Sequence, residues 1–235
     1  MQKSFYQDSI VLLEGAVADM LARIDVIRKY QKHHNDRDPI KYLSSRIKTE
    51  ESMKSKLERK GFPVTLESAL TNVYDAAGIR IVCPYLDDVY DIAKMIVSYS
   101  DLNVVTVKDY IQNPKPNGYR SYHIIVQVDV SVPGPVKSLG LNLSSNQNVL
   151  DKYPVYLEIQ LRTMAMDFWS SLEHQIKYKK DIANADLIGA ELKRCAEMIT
   201  TTDMNMQTIR QLIEAEGVNN LRSTSVNLGE NASSD

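Results

Sequence analysis

Between residues 4 and 30, apolar side chains return every three or four positions: Ile10, Leu13, Val17, Met20, Leu21, Ile24 and Ile27. That spacing predicts an amphipathic helix. A polar stretch, "HHNDRDP", follows at 33–39, and its Asp-Pro pair is a helix-start signal, so a second helix is predicted from Pro39 to Lys60, stopped by Gly61 and Pro63. A short helix is predicted over 65–73. The pattern then changes: "AGIRIVCPY" (77–85) reads as a buried strand, "DDVYDIAKMIVSY" (87–99) as an amphipathic helix and "NVVTVKDYI" (103–111) as a strand. After the loop "QNPKPNG" comes another strand over 121–130, with Ile124, Val126 and Val128 on one face. A long polar connection (131–152) leads to "YPVYLEIQLR" (153–162), whose strict alternation puts Val155, Leu157, Ile159 and Leu161 on one face and Tyr156, Glu158, Gln160 and Arg162 on the other. Helices are predicted at 163–180, with Trp169, Leu172 and Ile176 as a core stripe, and at 183–215. This order predicts an α+β fold with one mixed sheet of four to five strands flanked by helices. Residues 1–215 form one domain in this reading, and 216–235 have the composition of a disordered tail.

Bulk chemistry narrows the function classes. The 235 residues are 43% hydrophobic and 25% charged, with a net charge of −2, so the chain as a whole is no polyanion magnet. No apolar run approaches the roughly 18 residues of a membrane span and no signal peptide is legible, which predicts a cytoplasmic protein. Cys83 and Cys195 stand alone in separate segments, and neither CxxC nor HExxH occurs, which argues against a disulfide framework or a structural zinc site. The phosphate-binding loops GxGxxG and GxxxxGK[ST] are also missing.

Local clusters carry more. On the helix predicted over 39–60, Lys48, Ser52, Lys56 and Arg59 fall within a roughly 80° arc, with Glu50, Glu51 and Glu58 on the far side together with Lys54. A basic stripe with a hydroxyl suits a triphosphate, although an ordinary solvated helix fits this stretch alone equally well. Arg46 near the helix start can stack on a base. In "YDAAGIRIV", Asp75 precedes a strand that contains Arg80, a place for a metal-binding carboxylate or simply a cap, and Gly78 permits close backbone approach. The polar face of 153–162 either lines a cleft or is a solvated face. In "NPKPNGYRSYH", Tyr119 beside a glycine can stack on a nucleobase and Arg120 and His123 can meet phosphate oxygens, or the loop is a turn with a packed tyrosine. His174 reads as a helix-surface histidine.

"YDAAGIRIVC", "GYRSYH", "LEIQLRT" and "FWSSLEH", in this order and spacing, resemble the synthetase domain of RelA/SpoT-type proteins over about residues 5–210, and the length resembles the stand-alone small alarmone synthetases. The resemblance implies a fold related to the polymerase-β-type nucleotidyltransferases. It implies a GTP/GDP pyrophosphokinase that moves the β,γ-pyrophosphate of ATP to the 3′-hydroxyl of GDP or GTP, giving (p)ppGpp and AMP, with Mg²⁺ as cofactor. Position by position, Asp75 and Glu158 match the metal-binding, catalytic carboxylates, and Arg46 and Arg80 the pair that sandwiches adenine. Lys48, Ser52, Lys56 and Arg59 match the positions facing the ATP phosphates. Tyr119 matches the residue that stacks on guanine, and Lys108, Lys115, Arg120, His123 and Gln160 match acceptor-nucleotide contacts. The HD pair of the hydrolase domain is missing, since His33-His34-Asn35-Asp36 does not supply it, so the resemblance implies synthesis without hydrolysis. It also implies a homotetramer built through the terminal helices, with which the apolar stripes at 10–27 and 185–212 are compatible. Leu21, Asp25 and Asp167 depart from the basic or neutral residues of product-activated relatives, which implies weak or no stimulation by product. A nucleotidyltransferase on the same scaffold, or a silent nucleotide- or RNA-binding module, remains open on the same residues.

Overall fold

The computed structural model describes residues 5–35, 37–133, 136, 151–177 and 184–230. After a 3-10 turn at Gln7–Ser9 come α1 (Ile10–Asn35), β1 (Tyr42–Ile47), α2 (Glu50–Arg59), α3 (Leu66–Asn72), β2 (Ala77–Cys83), α4 (Leu86–Val97), β3 (Asn103–Asp109), β4 (Tyr122–Val132), β5 (Asp151–Thr163), α5 (Met164–Lys177) and α6 (Ala185–Glu230). The strands form one mixed sheet in the order β1-β2-β5-β4-β3. Only β2 and β5 run parallel; the other neighbours are antiparallel.

The sheet's apolar face is closed by α1 and α4. Leu13, Met20 and Ile24 of α1 and Val89, Ile92 and Ile96 of α4 meet Ile79 and Ile81 of β2, Ile124 and Val126 of β4, and Leu157, Ile159 and Leu161 of β5 in one buried cluster. The alternation read in 153–162 is therefore realised, one face in the core and the other turned to an open groove. The α1 stripe is spent on this core. The large apolar side chains that α1 leaves exposed are Val11, Val26 and Tyr30, none of them in the stripe, so the stripe at 10–27 is not a free surface for assembly.

Three segments differ from the sequence expectation. The single helix predicted over 39–60 is an edge strand, β1, followed by α2. Leu43 and Ile47 are only partly buried, and the segment is extended because its backbone pairs with β2 from Tyr42↔Val82 to Ile47↔Ala77. Thr49 then caps α2 by accepting from the Ser52 amide, and Asp38 caps the turn into β1 by accepting from the Ile40 amide. Arg46 thus lies on a strand and Lys48 in the β1–α2 turn, neither on a helix. In α5, Trp169 is buried but Leu172 is 40% exposed, because the helix is covered on one side only. Finally, α6 continues helically past Gly217 to Glu230, where composition predicted a tail. One glycine in a helix costs only about 1 kcal/mol, too little to stop a long one.

Candidate functional site: a charged groove on the open face of the sheet

Register places the charged residues of different strands in rows. Ser44, Arg80, Gln160, His123 and Lys108 are successive cross-strand partners from β1 to β3. One step along, Arg46, Gly78 and Glu158 are partners. The groove above these rows extends from the α2 side, where Lys48, Ser52, Lys56 and Arg59 surround Asp75, across Arg46, Arg80 and Glu158 to Lys115, Tyr119 and the α5 side chains Glu173 and His174. Its larger section encloses about 610 Å³. His174, read as a surface histidine, is exposed at its rim.

Asp75 sits in the turn before β2. Lys56 Nζ is 2.7 Å and Lys48 Nζ 3.2 Å from its carboxylate. Burial pushes this carboxyl up, and the Lys56 and Lys48 ammonium groups more than offset it, leaving it below the ordinary aspartate range. The Lys48 amide donates to Ala76 O at 2.8 Å, which fixes the basic turn beside the acid. Ser52 doubles as the capping partner of Thr49.

Glu158 lies mid-sheet on β5. His123 Nδ1 is 2.9 Å from its Oε1, and Gln160 Nε2 donates to its Oε2 at 2.7 Å. Burial raises this carboxyl, the bonds from His123 and Gln160 bring it below the usual glutamate value, and the Asp75 charge pushes weakly upward. The two acids thus share one field. Asp75 Oδ1 is buried 2.7 Å from the Lys56 ammonium. Two hard oxygen donors facing a common groove suit a hard divalent cation. Among the described residues there is no cluster of three or more His, Cys, Asp or Glu, so a cation here would fill its shell with water and phosphate oxygens, as Mg²⁺ does.

The arginines behave differently from one another. Arg46 is exposed on the edge strand. Arg80 is depressed by burial and then by the Arg162 and Arg46 charges, and its Nε is buried without a partner. Asp167 holds Arg80 (3.5 Å) and Arg162 (3.1 Å) from α5, so its carboxylate balances arginines within the site. Arg120 is not brought to the groove's charged rows; it donates to the Ile111 carbonyl and pins the base of the loop.

The loop 112–121 is shaped by Gly118, at φ +89°, where a Cβ would come within 2.6 Å of Ala196 Cβ on α6. Asn117 donates to Glu173 of α5 at 3.0 Å. Lys115 Nζ is held between the rings of Tyr110 (4.7 Å) and Tyr119 (4.6 Å). A purine stacking on Tyr119 would replace one cation on that ring. Burial depresses the Lys115 ammonium, and the charge of Lys108, the cross-strand partner of His123, adds to that while the Glu158 carboxylate opposes it. Gly78 differs from expectation in its reason: a Cβ there meets only Glu158 O at an ordinary 3.6 Å, so its bareness keeps the groove floor open between Arg46 and Glu158. Sequence reasoning placed Arg162 only on a polar face that lines a cleft or is solvated, and named no contact for it; the structure buries it at the centre of the polar network. Its position two residues after Gln160 on the polar face was the available signal.

The family described as the region found in RelA/SpoT proteins matches residues 45–183, which hold the groove's acids, most of its basic wall and its loop. GTP pyrophosphokinase YwaC of Bacillus subtilis is 34% identical over 209 residues, 89% of this chain and 92% of that protein. The structure of small alarmone synthetase 1 from Bacillus subtilis bound to its product pppGpp is 30% identical, with 86% of this chain and 94% of that chain covered and a TM-score of 0.71. Small alarmone synthetase 2 from the same organism is 35% identical over 86% of this chain and 96% of its own, with a TM-score of 0.68. The chain belongs to the RelA/SpoT family, and its whole-length likeness is to the small alarmone synthetases within it.

Proposed function

We propose that this protein is a GTP pyrophosphokinase that makes (p)ppGpp from ATP and GDP or GTP and does not hydrolyse it. The observation that carries the reading is one groove with Asp75 and a basic wall at one end, Tyr119 at the other and Glu158 between them. The donor nucleotide lies along α2, its phosphates neutralised by Lys48, Lys56 and Arg59 and its adenine between Arg46 and Arg80. The acceptor lies against the loop, guanine on Tyr119, with Lys115, Lys108 and His123 nearest its phosphates. The 3′-oxygen forms a bond to the β-phosphorus, the bond from that phosphorus to the α-phosphate oxygen breaks, AMP departs, and the 3′-hydroxyl proton passes to Glu158. Most of the acceleration on this reading comes from positioning and charge neutralisation. Asp75 and Glu158 hold Mg²⁺, which when bound polarises the phosphate bond that breaks.

We also place this protein in a homotetramer in which α6 supplies a contact surface. Among the described residues no helix is long and apolar enough to cross a membrane, and a cytoplasmic location fits nucleotide substrates.

One assay tests the reading. Purified protein is incubated with Mg²⁺, ATP and GDP or GTP, and the nucleotides are resolved. AMP plus a more phosphorylated guanosine is expected, abolished in Asp75→Asn and Glu158→Gln with circular dichroism unchanged. Pyrophosphate release would point instead to a nucleotidyltransferase, and no turnover to a binding module. Loss of added ppGpp would overturn the synthesis-only assignment.

A further inference from the structure

Arg162 is almost fully buried and every guanidinium nitrogen has a partner: Nε donates to Ser121 Oγ (3.3 Å), one terminal nitrogen to Asp167 (3.1 Å), and the other to both Tyr119 Oη (2.7 Å) and Gln160 Oε1 (3.1 Å). From Tyr119 the chain continues through His123 Nε2 (2.9 Å) and Nδ1 to Glu158 Oε1 (2.9 Å); from Gln160 it continues through Nε2 to Glu158 Oε2 (2.7 Å). The two arms close a ring with Arg162 at one pole and Glu158 at the other.

The poles have fixed character. A guanidinium only donates and a carboxylate only accepts. In one arm, the Gln160 oxygen is committed to Arg162, so its NH₂ must face Glu158. In the other, His123 Nδ1 faces a carboxylate that only accepts and so carries a proton, which in the neutral imidazole leaves Nε2 to accept from the Tyr119 hydroxyl, whose oxygen accepts from Arg162. We propose that Arg162 is a positioning residue for pyrophosphoryl transfer: it polarises both arms so that two donors converge on Glu158 and fix the orientation of its carboxylate. The proposal rests on the reading of Glu158 as the reacting carboxylate. It also gives the Tyr119 hydroxyl a task separate from its ring, because the hydroxyl serves the His123 arm while a base stacking on the ring displaces the Lys115 ammonium held there.

The test has two readouts. In nucleotide-free, ¹⁵N-labelled protein at fixed pH 8, long-range ¹H–¹⁵N correlation of His123, assigned by its loss in His123→Asn, should show the proton on Nδ1. Tyr119→Phe and Arg162→Met should shift the population toward Nε2–H. In kinetics, supporting partners of this kind carry about tenfold to a hundredfold in rate. Tyr119→Phe, which keeps the aromatic ring, should therefore lower kcat by about that factor with the KM for guanine nucleotide unchanged. Arg162→Lys keeps the buried charge beside Asp167 but loses the fork, and should not restore the rate. A wild-type proton on Nε2, an unchanged tautomer in Tyr119→Phe, or an unchanged kcat in that variant overturns the proposal. If Arg162→Met fails to fold, Tyr119→Phe decides alone. If the wild type makes no (p)ppGpp, the function proposed above fails, while the tautomer experiment still judges the ring.

Discussion

Gly78 separates Arg46 on β1 from Glu158 on β5, and it does so without being needed for the backbone. Its φ is not in the left-handed region and its missing Cβ faces no clash. A β-branched side chain there favours the strand. Gly78→Val should therefore keep or slightly raise the melting temperature while filling the groove floor beside the adenine position, and the KM for ATP should rise by tenfold or more on the scale of a lost well-packed contact of about 1.4 kcal/mol. Thermal unfolding and steady-state kinetics on one preparation check both halves; a fall in stability with unchanged KM would put Gly78 in the structural class instead. At this scale the sequence showed residue types but not their partners. Asp75, Glu158, Tyr119 and His123 were legible as chemistry. Arg162 was not, because its importance lies in bonding four residues drawn from β5, α5 and the loop before β4. Arg120, next to Tyr119 in the chain, looked equally suited to phosphate and instead holds a backbone carbonyl.

Elements were legible where burial enforces a period and obscure where pairing alone decides. The α1 and β5 patterns survive because one face of each meets the core. β1 was hidden, since an edge strand of exposed Ser44, Ser45 and Arg46 has no alternation to read and owes its state to β2. The turn into β1 is itself held electrostatically: Arg28 of α1 contacts the Asp38 carboxylate at 2.5 Å, and the same carboxylate caps Ile40. The bond from Arg28 is the main reason that Asp38 titrates below its ordinary value, with burial opposing it and the Ile40 amide helping. A carboxyl depressed in the folded state adds stability that is complete above its unfolded pKa, about 3.9, and is lost as pH falls through the folded value. Asp38→Asn keeps an acceptor for Ile40 and removes only the charge. The gap in melting temperature between wild type and this variant should be constant from neutral pH to about pH 5 and close below about pH 4. A gap that persisted undiminished at pH 3 would show that the carboxylate charge is not its source.

At the scale of the molecule, α6 is oriented the opposite way from an ordinary surface helix. Its docking side is largely polar: Asp203 accepts from Thr163, Gln207 bonds Asp87, and Arg210 lies over Tyr85 beside buried Asp88, with Ala196 a small apolar contact. At 100° per residue, Leu187, Met198, Ile209, Leu212 and Ile213 fall on the other side, and all are about half exposed or more. A helix that docks by charge and turns its apolar face outward presents the kind of patch that marks an association surface. The α1 stripe, read from sequence as a second such surface, is consumed by the core, which leaves α6 as the stronger candidate for the tetramer contact. Light scattering behind size exclusion should give a tetramer mass for the wild type. Leu212→Asp with Ile213→Asp should lower that mass in a concentration-dependent manner, because a buried unpaired charge disfavours the assembled state while costing the lone subunit nothing at already exposed positions. Unchanged circular dichroism at high dilution separates this from unfolding. A monomeric wild type, or a double variant that stays tetrameric, would remove α6 from the interface.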